Sequence, residues 1–248
     1  DPEDSGQLIR LNTPSGVLLA ATTTTINPDG HTETSTVDGR VTDDSNGNLT
    51  MANLADELGT YSGESESTAA FYVIAGDQTD RFNSLGRFFM LYDTSSIDDD
   101  DDVTAAKIVC QMGASNSTTV NEGLSGYALG VTASNPASNT ALAAGDFDAI
   151  SNTAFATSVA LSALNTSAGQ DWEDLDFNAN GISALALDGI SKFVIRFTAD
   201  ITDTAGNWSS GANALVVAKT AEDSTAGNRP ELTITHAAPA AGSPVIMF

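Results

Sequence analysis

The sequence is poor in cysteine, basic side chains and histidine, and each scarcity narrows the chemistry open to it. Cys110 is the single cysteine among 248 residues, so no disulfide forms within the chain and no cysteine-rich zinc site can be built. Its setting, Lys107-Ile108-Val109-Cys110-Gln111-Met112, reads as a strand in which a buried, inert thiol is expected. Lysine and arginine number nine against 33 aspartates and glutamates, a formal net charge of −24. Such a surface repels phosphate backbones and anionic lipids, so neither nucleic acid nor membrane is expected as a partner. Self-repulsion of this size is tolerable where salt shortens the Debye length below its ~10 Å at 0.1 M, and a saline medium is expected. No apolar run reaches the ~20 residues of a membrane span.

Catalytic patterns are equally sparse. The two histidines are His31, in a predicted turn, and His236, at the end of the last predicted strand. Both adjoin segments expected to be flexible, so no Ser-His-Asp triad is expected. Gly123-Leu124-Ser125-Gly126-Tyr127 opens like a nucleophile elbow, but Tyr127 stands where the second glycine is required. There is no HExxH, no zinc spacing and no phosphate loop. Carboxylates are so abundant that no pair singles itself out as a glycosidase couple. The chain is therefore expected not to be an enzyme, with no catalytic, cofactor-binding or metal-binding residue assigned and no cofactor.

What is present points to an all-β fold. Hydrophobic residues make up 41% of the chain but aromatics only 6%, enough for one large core. The polar remainder, rich in Thr, Ser, Asn, Asp and Gly, favours short strands and many turns over long helices. Arg87-Phe88-Phe89-Met90-Leu91-Tyr92-Asp93 is apolar on both faces, as a central covered strand would be. Further strands are expected at Ala70–Ala75, Thr104–Met112, Tyr127–Thr132, Leu175–Asn178, Phe193–Phe197, Leu215–Ala218 and Leu232–Thr235. In the run Phe193–Phe197 three large side chains share one face, and Arg196 is expected to turn outward. Leu49 to Leu58 reads as a short helical turn stopped by Gly59. With no βαβ alternation, the expected fold is an antiparallel β-sandwich with jelly-roll character and short helical turns in its loops.

The expected organisation has three parts: residues 1–37 an N-terminal arm or hairpin, 38–236 the sandwich, and 237–248 a linker carrying an apolar tag. The arm holds Gly16–Ala21, four threonines and the turn Asn27-Pro28-Asp29-Gly30. The linker, Ala237–Pro244, delivers Val245-Ile246-Met247-Phe248, which either packs back or docks on a partner.

Several segments in order carry a resemblance. Gly86–Ile97, with its Arg, aromatic-rich strand and Asp-x-Ser, is followed by an acidic loop and Val103–Ile108. Then come Ser134–Leu142, Gly189–Phe193, Trp208–Gly211 and Arg229–Thr235. Together they resemble the DNRLRE-like (disaggregatase-related) β-sandwich modules, which are similar to carbohydrate-binding modules, and similar sequences look like structural proteins of environmental tailed phages. The likeness spans about Asp38 to His236. It implies a sandwich and a virion or extracellular surface location, and supplies no catalytic residue.

Two features look like calcium sites. Asp98, Asp100 and Asp102 of the run Asp98–Asp102 would point the same way if extended and could offer oxygen ligands, although a solvated turn is the plainer reading. Asp176-Phe177-Asn178-Ala179-Asn180-Gly181 opens like an EF-hand loop, but Leu187 occupies the position of the bidentate Glu, so a strand end and turn is expected. Trp172 and Trp208 are expected to pack, since glycan platforms need several exposed aromatics. Asn48, Asn116, Asn165 and Asn207 open sequons of a kind that chance supplies readily here. These readings lead to two expectations of function: a virion structural subunit (head-decoration, fibre or tail-associated) that joins copies of itself or other subunits through its termini, or a secreted or cell-surface glycan-binding or filament-forming module.

Overall fold

Period-two burial sets most of the strands. β4 (Thr68–Ala75) and β11 (Asn213–Lys219) alternate buried and part-exposed residues along their whole length, and each alternation places one face on the core. β5 (Phe82–Asp93) is buried at ten of its 12 positions, because both of its faces are covered. The computed structural model describes residues 20–114, 127–164, 171–205 and 209–239. The remaining strands are β1 (Thr22–Ile26), β2 (Asp38–Asp43), β3 (Tyr61–Gly63), β6 (Asp102–Ala114), β7 (Ala128–Ala133), β8 (Val159–Ala160), β9 (Asp171–Asp176), β10 (Ile190–Phe197) and β12 (Glu231–Ala237).

They form an antiparallel, curled sheet in the order β1-β12-β6-β11-β4-β5-β10-β7-β8, with β2 joined to β5 and β3, and β9 joined to β6. β6 pairs with β9 over Lys107–Met112 while pairing with β12 up to Val109 and with β11 from Met112. β9 therefore occupies one edge of β6, and β12 and β11 share the other. The curl brings β6 over β5, which is not its neighbour in the sheet: Cys110 Sγ lies 3.7 Å from Met90 Sδ. Between the layers sit stacked Phe71 and Phe88, with centroids 6.0 Å apart, and Phe177 edge-on to Phe193 at 5.0 Å. Cys110 is fully buried, and that burial pushes its thiol pKa up. The expected antiparallel sandwich with jelly-roll character is the fold found.

The helical pieces are single turns. α1 (Met51–Ala55) occupies the expected helical segment, capped by Thr50, whose Oγ1 accepts from Asn53 N at 3.2 Å. α2 (Ala179–Ser183) and α3 (Thr198–Ile201) follow β9 and β10 directly.

Three local features depart from the sequence reading. The boundary drawn at residue 37 separates strands that share one sheet: β1, within the segment read as an arm or hairpin, pairs with β12 from Thr22↔His236 to Ile26↔Leu232 and is an edge strand among the described residues. β9 starts at Asp171 and ends at Asp176, earlier than expected. Its cross-strand pairing with β6 outweighs the poor strand propensity of its acidic residues, and Asn178 stops it by capping α2. Arg196 does leave the face shared by Phe193, Ile195 and Phe197, but it is fully buried instead of solvated. Its side of β10 is roofed by α3 and the loops, which sequence alternation cannot reveal. Residues 1–19 and the tag Val245–Phe248 lie outside the described residues.

Candidate functional site

The densest buried polar chemistry lies where β5 and β10 meet α3. Asp200, fully buried on α3, accepts from Arg87 Nε at 2.9 Å and from Arg87 Nη2 at 2.6 Å. This is the bidentate geometry a guanidinium favours. Arg196 Nε lies 2.9 Å from Asp200 Oδ2 as an ion pair without hydrogen-bond alignment. The spare donors reach carbonyls: Arg87 to Phe147 and Ala55, Arg196 to Ser151 at 3.2 Å and Asp200 at 2.6 Å. Arg87 also lies over the Phe147 ring at 3.9 Å. Burial lowers the Arg196 pKa, Asp200 opposes that, and the Arg87 charge adds to the fall, leaving the net direction down. One carboxylate thus ties two strands to α1, α3 and the turn at Ala144–Asp148. Beside it is a cavity of about 130 Å³, edged by Asp56, Asp148 and Asp203, small against the ~300–1,000 Å³ of ordinary ligand pockets. The sequence reading missed this clasp. Its available signal was an arginine inside each of two apolar strands, with Asp200 four residues after Arg196.

A second cluster closes the sheet at β1. His236 Nδ1 lies 2.6 Å from Asp101 Oδ2, and Nε2 lies 2.9 Å from Thr24 Oγ1. A carboxylate only accepts, so Nδ1 donates to Asp101, while Nε2 and the Thr24 hydroxyl share the second hydrogen bond. The order Asp-His-Thr is that of an acid-base-nucleophile chain, which the sequence reading did not anticipate. Thr24, however, is in register with buried Ile234, so its hydroxyl faces the packing of the sheet. The chain of bonds works as a tether for the edge strand. His236→Ala should cost about 1–2 kcal/mol for the two lost bonds. It should also speed amide exchange at Thr22–Ile26 while leaving β4 and β5 unchanged; equal exchange at β1 in both proteins would refute the tether.

The aspartate run forms a turn, not an extended strand. Asp101 N donates to Asp98 O and Asp100 N to Asp98 Oδ1, both at 3.1 Å. The carboxylates of Asp98, Asp99 and Asp100 gather within 4.8 Å of one another, all exposed. Asp101 turns to His236, and Asp102 begins β6. The alternating set Asp98, Asp100 and Asp102 is therefore not assembled, because the turn breaks the period of two it needs. Asp99 is raised chiefly by the charge of Asp100. In the EF-hand lookalike, Asn178 Oδ1 accepts from Asn180 N at 2.9 Å and Gly181 N at 3.1 Å, the cap of α2.

A third group joins the start of β2, and the loop before it, to the loop after β11. Asp38, fully buried, accepts from Ala221 N at 3.1 and 3.3 Å. Burial pushes its carboxyl well above the usual range, and the charges of Glu222 and Glu33 add to the rise against the Ala221 bond. Glu222 is raised too, first by burial. Nearby, burial would raise Asp29, but hydrogen bonds from Thr34 and Ser35 outweigh it and bring the pKa to about 2.

On the outer face of β6 and β9, Trp172 is 44% exposed, contrary to its expected packing role. It sits in register with Gln111, and Lys107 Nζ lies 2.6 Å from Asp174 Oδ2 on the same face. Trp208, Ser125, Asn116, Asn165 and Asn207 lie outside the described residues. Among the described residues no helix is long and apolar enough to cross a membrane.

No protein-family model matches the chain, and no curated protein sequence matches it. Among solved structures it is similar, at 11% identity and a TM-score of 0.16, to the D431N mutant VP2 protein of infectious bursal disease virus in derived T=1 particles. The match covers 90% of this chain and 60% of that one, so the chain spans less than two thirds of the viral protein. A TM-score this low carries no argument about fold or function.

Proposed function

We propose that the chain is a non-catalytic structural subunit of a virion or other extracellular surface assembly, joined to copies of itself or to other subunits through its termini. The observation that carries this reading is where the polar chemistry goes. Arg87, Arg196, Asp200, His236 and Asp101 resemble functional groups in type, yet each is engaged in holding strands and loops together. That leaves a rigid acidic body whose capacity for partners lies on its faces, edges and chain ends. The phage-like resemblance of Gly86–Ile108 and Arg229–Thr235 favours a head-decoration, fibre or tail-associated subunit.

Deletion of Ser243–Phe248 tests the role of the apolar tag. In 0.5 M salt the full chain is expected to form assemblies larger than a dimer, and the deletion is expected to remove them. A monodisperse monomer before and after deletion would contradict the reading. The half-exposed indole of Trp172 favours a second reading, a glycan-binding or adhesion module. Binding on a glycan array that disappears in Trp172→Ala would support it over the first.

A further inference from the structure

Among the described residues the sheet has four terminal edges, and their chemistry differs sharply. β9 carries Asp171, Glu173, Asp174 and Asp176 in six residues, the charged edge with which proteins block further pairing. β8 has two residues and β3 has three, too short to template a partner strand. β1 has five residues, Thr-Thr-Thr-Thr-Ile, with no charge. It lies within the uncharged run Leu11–Pro28. It is also anchored: β12 pairs with it at every position, and His236 holds Thr24 from the inner side. Among the described residues β1 is therefore a fixed strand with an open, unguarded edge, on a chain of net charge −24.

We propose that this edge pairs with the β1 edge of a second copy of the chain, antiparallel about a two-fold axis at Thr24. The proposal rests on the assembly reading and specifies one of its contacts. Three observations fix the occupant and its direction. Most of the surface of one copy repels another, so contact is cheapest where neither side bears charge, and a self-facing β1 meets that condition for both. The register would set Thr23 opposite Thr25 of the second copy, repeating the threonine pairs that β1 already makes with β12, where Thr23 Oγ1 and Thr235 Oγ1 lie 3.3 Å apart. Finally, the acidic turn Asp98–Asp101 lies at the Thr22 end of β1, through Asp101 and His236. Antiparallel pairing puts the two acidic turns at opposite ends of the contact, whereas parallel pairing would set them side by side. An isologous contact of this kind closes at two copies, leaving the termini free to link pairs.

The test uses the full chain and the double variant Thr23→Glu/Thr25→Glu. Both positions are exposed, so the body should fold unchanged, and the introduced carboxylates would oppose those of the second copy. In 0.5 M salt, sedimentation velocity at protein concentrations too low for pairs to link into larger assemblies should show a dimer whose dissociation constant rises at least tenfold in the variant. In the wild type, amide exchange at residues 22–26 should slow as concentration rises. Equal dissociation constants, or exchange independent of concentration while oligomers form, would overturn the edge contact and leave the assembly reading standing. Loss of the dimer on deleting Ser243–Phe248, with none in the double variant, would assign the contact to the tag and overturn the proposal. A wild-type monomer at every salt and concentration would overturn both.

Discussion

Asp200→Ala is expected to destabilise the fold by about 3–5 kcal/mol, the usual cost of stripping a buried charge of its partner. The substitution leaves Arg87 and Arg196, both fully buried, with only backbone carbonyls and no carboxylate. Two guanidiniums against one carboxylate already leave an excess positive charge inside, which Asp56, Asp148 and Asp203 face across the adjoining cavity. Removing Asp200 doubles that excess, from one uncompensated cation to two. For a chain of this size the melting temperature should fall by about 6–20 °C. The loss should be cooperative with loosening of α1, α3 and the turn at Ala144–Asp148, which Arg87 and Arg196 hold by their remaining bonds. Arg87→Lys should also be costly, since an ammonium cannot reproduce the two-pronged contact. Urea unfolding of Asp200→Ala within about 1 kcal/mol of the wild type would show that the clasp is not what holds these strands to their roof.

The second large effect concerns acid. Asp38 is held above its ordinary pKa by burial and then by Glu222 and Glu33, and Glu222 is itself raised. A carboxyl so raised gives stability that is complete below its unfolded pKa of about 4, and that disappears as pH climbs through the folded value. Ionising Asp38 therefore works against the fold, and protonating it favours the fold. Asp29 and Asp223, both lowered, act in the opposite sense: their stability is present above about pH 4 and lost as pH falls through their folded values, about 2 for Asp29. The melting temperature should accordingly rise from pH 8 to pH 5 and fall again in strong acid. Asp38→Asn keeps an oxygen for Ala221 N–H but carries no charge. It should stabilise the protein at pH 8, by roughly 1–3 kcal/mol on the scale of buried polar penalties, and by much less at pH 5. A pH slope equal in wild type and variant would assign the dependence elsewhere.

How much of this could be read beforehand depends on how local each feature is. β4, β5, β10, β11 and β12 follow from apolar runs and period-two alternation, which neighbouring residues carry in full. The caps at Thr50 and Asn178 are equally local. The partner of β1 is not: Thr22 meets His236, and Thr24 and His236 stand 212 residues apart. Alternation also says which face Arg196 joins, but not that α3 returns over it. His236 looked like a residue beside a loose end because its partners, Thr24 and Asp101, come from the first strand and from the turn before β6. Asp98, Asp100 and Asp102 looked like one row because an extended chain was assumed where Asp98 closes a turn. For β1, Arg196 and His236 the missing information was a contact across the fold; for the aspartates it was a local turn.

The mass of the full chain in solution, measured by sedimentation at low and at 0.5 M salt, tests the assembly reading most directly. Screening should weaken repulsion between bodies of charge −24, so assemblies of several 25.5 kDa chains are predicted in 0.5 M salt, dissociating as salt is withdrawn. A 25.5 kDa monomer at both salt concentrations would contradict the account.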